Sequence, residues 1–326
     1  MLTKYMYPKC AHTFRNWCLS NLKYEKLYYG LGEPQPFDVT LRDGLQSLPK
    51  DIQKNYITND KLKMYHNIIF NYKPINIEIG SMVSEKVLPI FKDTLDIFNT
   101  LNTFEIKHNE TTSNPLDSIN KYILVGNKEH LKNVINNPTI NHFSLITSVS
   151  NSFQQKNTKM TLEESDKDIK AMLHELDNNK NRKVEPVVKL YVSCINECPI
   201  EGKIDNDFII NRLLNLNNNM KIDTFCLSDT CGSLLVDDFE YIVDTCKFFG
   251  LVPINKLSLH LHVKKGKEDE AEKIIHKALD YKIRNFDVST LDSGGCSVTM
   301  NKDRLVANLS YELYYKSLCN YIMKKT

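Results

Sequence analysis

Leu257-Ser258-Leu259-His260-Leu261-His262-Val263 alternates between apolar and polar residues at every step. Side chains along a strand point to opposite faces with a period of two, so Leu257, Leu259, Leu261 and Val263 share one face and Ser258, His260 and His262 share the other. The aliphatic face suits packing against surrounding helices, which leaves both imidazoles pointing inward at the strand end. Seven further runs have strand character: Phe37–Leu41, Ile75–Ile79, Tyr122–Gly126, His142–Thr147, Val187–Ser193, Thr224–Ser228 and Asn285–Ser289. Helical patterns lie between them, at Thr58–Tyr72, Thr161–Asp177, Asp207–Asn217, Val236–Phe249 and Lys267–Tyr281, and Asp303–Met323 follows as a closing helix. Short apolar runs alternating with longer helical patterns argue for βα units around a parallel sheet. Eight such units with right-handed crossovers close into an α/β fold, a (β/α)8 TIM barrel. The expected organisation is an N-terminal extension over residues 1–35 and the barrel over 36–326. Residues 99–118, rich in Asn and Thr, read as a loop insertion, and 178–183 as a polar connector.

Composition narrows the function classes. The 326 residues carry a formal charge of +2 and no long basic run, so nothing points to nucleic acid. Nine cysteines, an odd number spread over a long chain, read as free thiols in a reducing compartment. No apolar stretch approaches a membrane span. The compartment reading is cytoplasmic, although Lys4, Lys9, Arg15 and Lys23 precede the first acid, Glu25, and faintly resemble an organellar presequence.

In a barrel the active site lies at the C-terminal ends of the strands. Two neutral imidazoles on one strand face can chelate a transition metal or Mn2+-like ion; taken alone, His260 and His262 fit equally two histidines hydrogen-bonded in a polar barrel mouth. The first strand ends at Arg42-Asp43-Gly44, where a planar guanidinium suits a thioester oxygen or a carboxylate, and a surface ion pair at a turn is the plainer alternative. Glu78 is a lone charge in an apolar run, costly to bury unless it holds Arg42 or orients a metal-bound water. Gly294-Gly295-Cys296 puts a thiol on a flexible loop over the mouth, and a thiol of tuned pKa can act as acid or base.

Six motifs, in order, resemble the 3-hydroxy-3-methylglutaryl-CoA lyase family within the metal-dependent Claisen-type lyases and synthases. They are Thr40-Leu41-Arg42-Asp43-Gly44-Leu45-Gln46, Glu78-Ile79-Gly80-Ser81-Met82-Val83-Ser84, Tyr191-Val192-Ser193-Cys194 with Cys198-Pro199-Ile200-Glu201-Gly202-Lys203, Leu227-Ser228-Asp229-Thr230, His260-Leu261-His262, and Gly294-Gly295-Cys296. The resemblance spans residues 36–318 and implies a divalent metal, Mg2+ or Mn2+, held by Asp43, His260, His262 and Asn308, with Asn301 as competitor for the last place. It implies Arg42 at the enolate oxygen, Cys296 as the loop thiol, and Asp229, Gln46, Glu78, Asn127 and Tyr191 at catalytic or supporting positions, Asp229 being the one to touch substrate. His260 also relays the hydroxyl proton in this reading. The implied partner is an acyl-CoA, with neither nucleic acid nor membrane, and a homodimer stays open as the assembly. The implied reaction is retro-Claisen cleavage to acetoacetate and acetyl-CoA. A condensing synthase of the isopropylmalate or homocitrate kind and a catalytically degenerate barrel with a binding role are the alternatives. This chain departs from the family pattern at Val263-Lys264-Lys265, where Asp-Thr-x is usual, at Asp292-Ser293, at Lys189 in place of Arg, and at Cys226 in place of Ser.

Overall fold

The computed structural model describes residues 7–109 and 119–326. Its strands are β1 (Gln35–Asp38), β2 (Asn76–Met82), β3 (Asn120–Val125), β4 (His142–Ser148), β5 (Val187–Ser193), β6 (Glu197–Cys198), β7 (Gly202–Lys203), β8 (Thr224–Asp229), β9 (Leu257–Leu261) and β10 (Asn285–Val288). Eight of them close in the order β1-β10-β9-β8-β5-β4-β3-β2, and β6 and β7 form a separate antiparallel hairpin. The barrel pairs are parallel throughout, as the βα alternation requires.

The helices sit where the apolar period of 3.6 puts them. Glu268–Asp280 buries Ala271, Ile274, Ile275, Ala278 and Leu279 on one stripe. Its first turn carries Glu268, Asp269 and Glu270, which complement the positive end of the helix dipole. Leu162–Asp177 opens on a capping box in which Thr161 Oγ1 accepts from the Glu164 backbone N–H and the Glu164 carboxylate accepts from the Thr161 N–H. The N-terminal residues form two helices, Ala11–Leu19 and Leu22–Leu31. Phe14 lies 6.1 Å, centroid to centroid, from both Tyr28 and Tyr315, so this pair packs on the closing helix Tyr311–Lys325. Among the described residues no helix is long and apolar enough to cross a membrane.

Four sequence expectations change, one of them the closing helix, which opens at Tyr311 behind the Ser310 cap and not at Asp303. The first strand stops at Asp38, not Leu41, because the Asp38 carboxylate accepts from the Thr40 backbone N–H (2.9 Å) and hydroxyl (3.1 Å) and diverts the chain into a wide helical turn, Thr40–Gly44. The His-x-His strand stops at Leu261. Beyond it the returning chain supplies the hydrogen bonds: Leu309 N–H donates to Leu261 O (2.9 Å) and Val263 N–H to Ala307 O (2.8 Å). Residues 99–109, expected as loop, belong to helix Thr94–Asn109, and the remainder of that expected loop, 110–118, lies outside the described residues.

Candidate active site

The turn Thr40–Gly44 aims Arg42 and Asp43 into the barrel mouth, where both are 5% exposed. A charge buried that deeply must be paired. Arg42 Nε donates to Glu78 Oε2 on β2, and one terminal nitrogen donates to Asp43 Oδ1. Tyr191 on β5 donates its hydroxyl to the same Glu78 oxygen at 3.2 Å, and its ring lies 5.0 Å from the guanidinium carbon. Burial works against the charged form of Arg42, and the Glu78 and Asp43 carboxylates outweigh it, raising its pKa well above the ordinary value.

Asp43, His260 and His262 each offer a ligand atom, all lying within 4.8 Å of one another. The ring orientations follow from their outer partners. His262 Nδ1 lies 2.9 Å from the Asp229 carbonyl oxygen, which can only accept, so Nδ1 carries the hydrogen. His260 Nδ1 lies 3.1 Å from Asp287 Oδ2 on β10 and donates likewise. Both Nε2 atoms are therefore left with lone pairs, 3.3 Å apart, and Asp43 Oδ2 lies 3.5 Å from His262 Nε2 and 3.9 Å from that of His260. Three lone pairs converging in a buried site call for a cation among them. Burial and the neighbouring charges set how readily each group takes a proton. Burial lowers His260; burial opposes the charged form of His262 as well, but the Asp43 carboxylate outweighs it and raises that pKa. For Asp43, burial pushes upward and the Arg42 charge, with the two imidazoles, holds it well below the carboxylate range.

Asn308 is the candidate for a fourth group. It pairs with His262 as an isolated antiparallel bridge; its side-chain nitrogen donates to Ser293 O at 3.0 Å, and its Oδ1 is buried with no hydrogen-bond partner. An orphaned buried amide oxygen on a residue paired with His262 would, with the two imidazoles and the carboxylate, make an N/O donor set suited to a divalent ion and not to a thiolate zinc site. Asn301, the alternative, is exposed and stands before the short helical turn Lys302–Arg304.

These groups open on a cavity of about 420 Å3, which Gln46, Asn127, Tyr191 and Cys296 also line. Cys296 Sγ donates to Asn157 Oδ1 at 3.5 Å across the mouth, while Gly295, in the left-handed region at φ +94°, donates its N–H to Asp43 Oδ2 at 3.1 Å. The glycine loop is thereby tied to the ligand set. Burial raises the Cys296 pKa, so the proton stays on sulfur near neutrality. Asn127 caps the short helix Lys128–Leu131 through its Oδ1, which accepts from His130 N–H.

Asp229 is brought to the site by its backbone and not by its carboxylate. Both carboxylate oxygens accept backbone N–H bonds, from Ser233 and Leu234 at 3.0 Å each, and the side chain faces a neighbouring groove. Glu78 likewise acts through Arg42. Sequence reasoning missed Asp287 and Asn157. Asp287 had a readable signal, a lone acid between Phe286 and Val288 in a strand, the same signal that singled out Glu78. Asn157 had none.

No family model matches the chain. A curated relative, the mitochondrial hydroxymethylglutaryl-CoA lyase of Arabidopsis thaliana, is 25% identical over 267 residues, 79% of this chain and 49% of the relative. The chain thus spans about half the length of the curated relative it matches. Among solved structures, an HMG-CoA lyase from Acinetobacter baumannii in complex with coenzyme A and 3-methylmalate superposes with a TM-score of 0.70 at 22% identity, covering 89% of this chain and 84% of that one. The Pseudomonas aeruginosa hydroxymethylglutaryl-CoA lyase gives 0.71 at 20% identity, covering 89% and 86%. At those identities the structures speak for the barrel. The curated relative, added to six motifs in order on that barrel, makes the chain similar to the hydroxymethylglutaryl-CoA lyases.

Proposed function

We propose that the protein is a divalent-metal-dependent carbon–carbon lyase that cleaves 3-hydroxy-3-methylglutaryl-CoA, or a closely related 3-hydroxyacyl-CoA, to acetoacetate and acetyl-CoA. The observation that carries this reading is the meeting, on one cavity, of the Asp43–His260–His262 lone pairs, the Arg42 guanidinium and the Cys296 thiol. A divalent ion, Mg2+ or Mn2+, held by Asp43, His260, His262 and Asn308 would lower the pKa of the substrate hydroxyl.

The protein's own groups supply the rest. The hydroxyl proton would pass to Nε2 of His260, a base kept neutral by burial. With Nδ1 already carrying a hydrogen, Nε2 can serve the ion or the proton in turn and not both at once, Asp43, His262 and Asn308 being the groups that would hold the ion meanwhile. As the bond between C2 and C3 breaks, its electron pair moves to C2 and onto the thioester oxygen. Among the described residues Arg42 donates only from Nε and one terminal nitrogen, and it lines the cavity, so its remaining donors are available to that oxygen. Cys296 then gives its proton to C2, and the proton on His260 restores the thiol. Glu78 and Tyr191 fix the guanidinium plane. The replacements at Lys264 and Lys265 are exposed and line a separate groove, outside the cavity, so they leave the ligand set intact and do not favour the degenerate reading.

The test is an acyl-CoA cleavage assay on purified protein with elemental analysis of bound metal. Release of acetyl-CoA that depends on stoichiometric metal is expected. Metal without turnover of any 3-hydroxyacyl-CoA would overturn the lyase reading in favour of a binding barrel, and acetyl-CoA consumption with a 2-oxoacid would favour a synthase.

A further inference from the structure

Behind His260 lies a chain of fully buried ionisable groups, two of which, Lys189 and Asp287, the reaction itself does not use. Lys189 on β5 is 2% exposed, Asp287 on β10 is 1% exposed and His260 on β9 is 4% exposed. Lys189 Nζ donates to Asp287 Oδ1, and the other Asp287 oxygen faces His260 Nδ1 at 3.1 Å. The ammonium also sits 3.4 Å from the Phe37 ring centroid and 4.5 Å from that of Tyr191, so aromatic faces cover the sides the carboxylate leaves. We infer that Lys189 is a positioning residue of the site: by holding Asp287 with one oxygen spent, it leaves a single acceptor for His260 Nδ1–H and so fixes the tautomer whose Nε2 lone pair faces Asp43 and His262.

The physical reason is that a neutral imidazole has two tautomers, and only one can ligate through Nε2. A second-shell acceptor on Nδ1 selects it. A carboxylate with no partner on its other oxygen would be free to swing away from His260, and the imidazole would lose the acceptor that selects its tautomer. The buried ammonium removes that freedom. It also explains why a position where the family pattern has Arg tolerates Lys: what is needed is one fixed cation against one oxygen.

The inference rests on the reading that these ligands hold a metal, and its test needs no substrate. Histidine-labelled, metal-free protein would be examined by long-range proton–nitrogen correlation NMR for the His260 tautomer, and Mn2+ affinity measured by titration. In the wild type His260 should be the Nδ1–H tautomer alone. Lys189→Met should mix the tautomers and weaken Mn2+ about 10–100-fold, the range seen when second-shell partners are lost. Lys189→Arg should restore both. Asp287→Asn is sharper: Lys189 must take the amide oxygen, which turns the amide NH2 toward His260 and inverts its tautomer. The double variant Lys189→Met/Asp287→Asn frees the amide to rotate its oxygen to His260, so it should bind Mn2+ more tightly than Asp287→Asn alone. A merely structural pair would give additive losses, and additive losses, or an unchanged tautomer in Asp287→Asn, would overturn the inference. Loss of lyase activity with these readouts intact would count against the proposed function instead.

Discussion

The molecule buries two arginines, and they differ in what they leave unpaired. Arg212, on the helix Asn206–Asn219, spends four bonds: both terminal nitrogens on Asp166 at 2.6 and 2.7 Å, Nη2 on Thr147 Oγ1 at 2.9 Å, and Nε on Ser148 O at 3.1 Å. Among the described residues Arg42 makes two, and those are to carboxylates that themselves reach the cavity mouth or keep an unpartnered oxygen, Glu78 Oε1. Arg212 ties the end of β4 to the outer layer of helices and has little left to give. Arg42 is held in place with donors unspent. A buried polar group that is saturated serves the fold, and one that is held yet unsaturated is available to a ligand. The orphaned oxygen of Asn308 and the facing lone pairs of His260 and His262 belong to the second kind.

The contrast can be broken at several points. The largest effect is expected at His262→Ala, which removes one of three converging ligands. Elemental analysis should find metal well below stoichiometric, and full occupancy would refute the ligand set. Arg42→Gln should keep the metal and lower kcat roughly 10²–10³-fold, about 3–4 kcal/mol of barrier. Arg42→Lys should recover little, since a point charge replaces a planar fork against two carboxylates. An equal kcat in Arg42→Gln would remove Arg42 from the chemistry. Arg212→Met should do the reverse: denaturant unfolding should register a loss of about 3 kcal/mol, at the low end for a broken buried pair because Asp166 keeps some access to water, while kcat per folded molecule stays at the wild-type value. A drop in kcat with unchanged stability would erase the distinction between the two arginines. The smallest effect belongs to Asn308→Ala, which should weaken Mn2+ by roughly tenfold, about 1.4 kcal/mol, whereas Asn301→Ala should leave the affinity unchanged. The opposite ranking would move the fourth ligand to Asn301.

Much of this was legible in the chain because period-two alternation and lone charges in apolar runs survive without knowledge of the fold. The misread helix shows the limit. Thr94–Asn109 carries Asn and Thr residues that favour loops, yet Thr100 and Thr103 return their hydroxyls to the carbonyls of Asp96 and Asn99 at 2.7 and 2.8 Å, and Ile97, Phe98 and Leu101 are buried. Packing of one apolar face outweighed propensities worth tenths of a kcal/mol per residue. Asp229 shows the converse. Its motif was readable, but the loop after β8 turned both carboxylate oxygens onto backbone N–H groups, leaving the carbonyl to orient His262.

The sequence by itself determined the barrel, the strand that carries His260 and leads into His262, and the residue types able to bind a metal and an enolate, because these depend on side-chain alternation and chemistry that are local to each segment. Only the tertiary structure decided that Asn308 and not Asn301 stands beside His262, that Asp287 and Lys189 stand behind His260, and that Cys296 reaches Asn157. Those contacts join residues 27 to 139 positions apart in the chain. They exist because closing the barrel brings β5, β9 and β10 around one interior, where a buried donor or acceptor must find whichever partner the closure puts within reach.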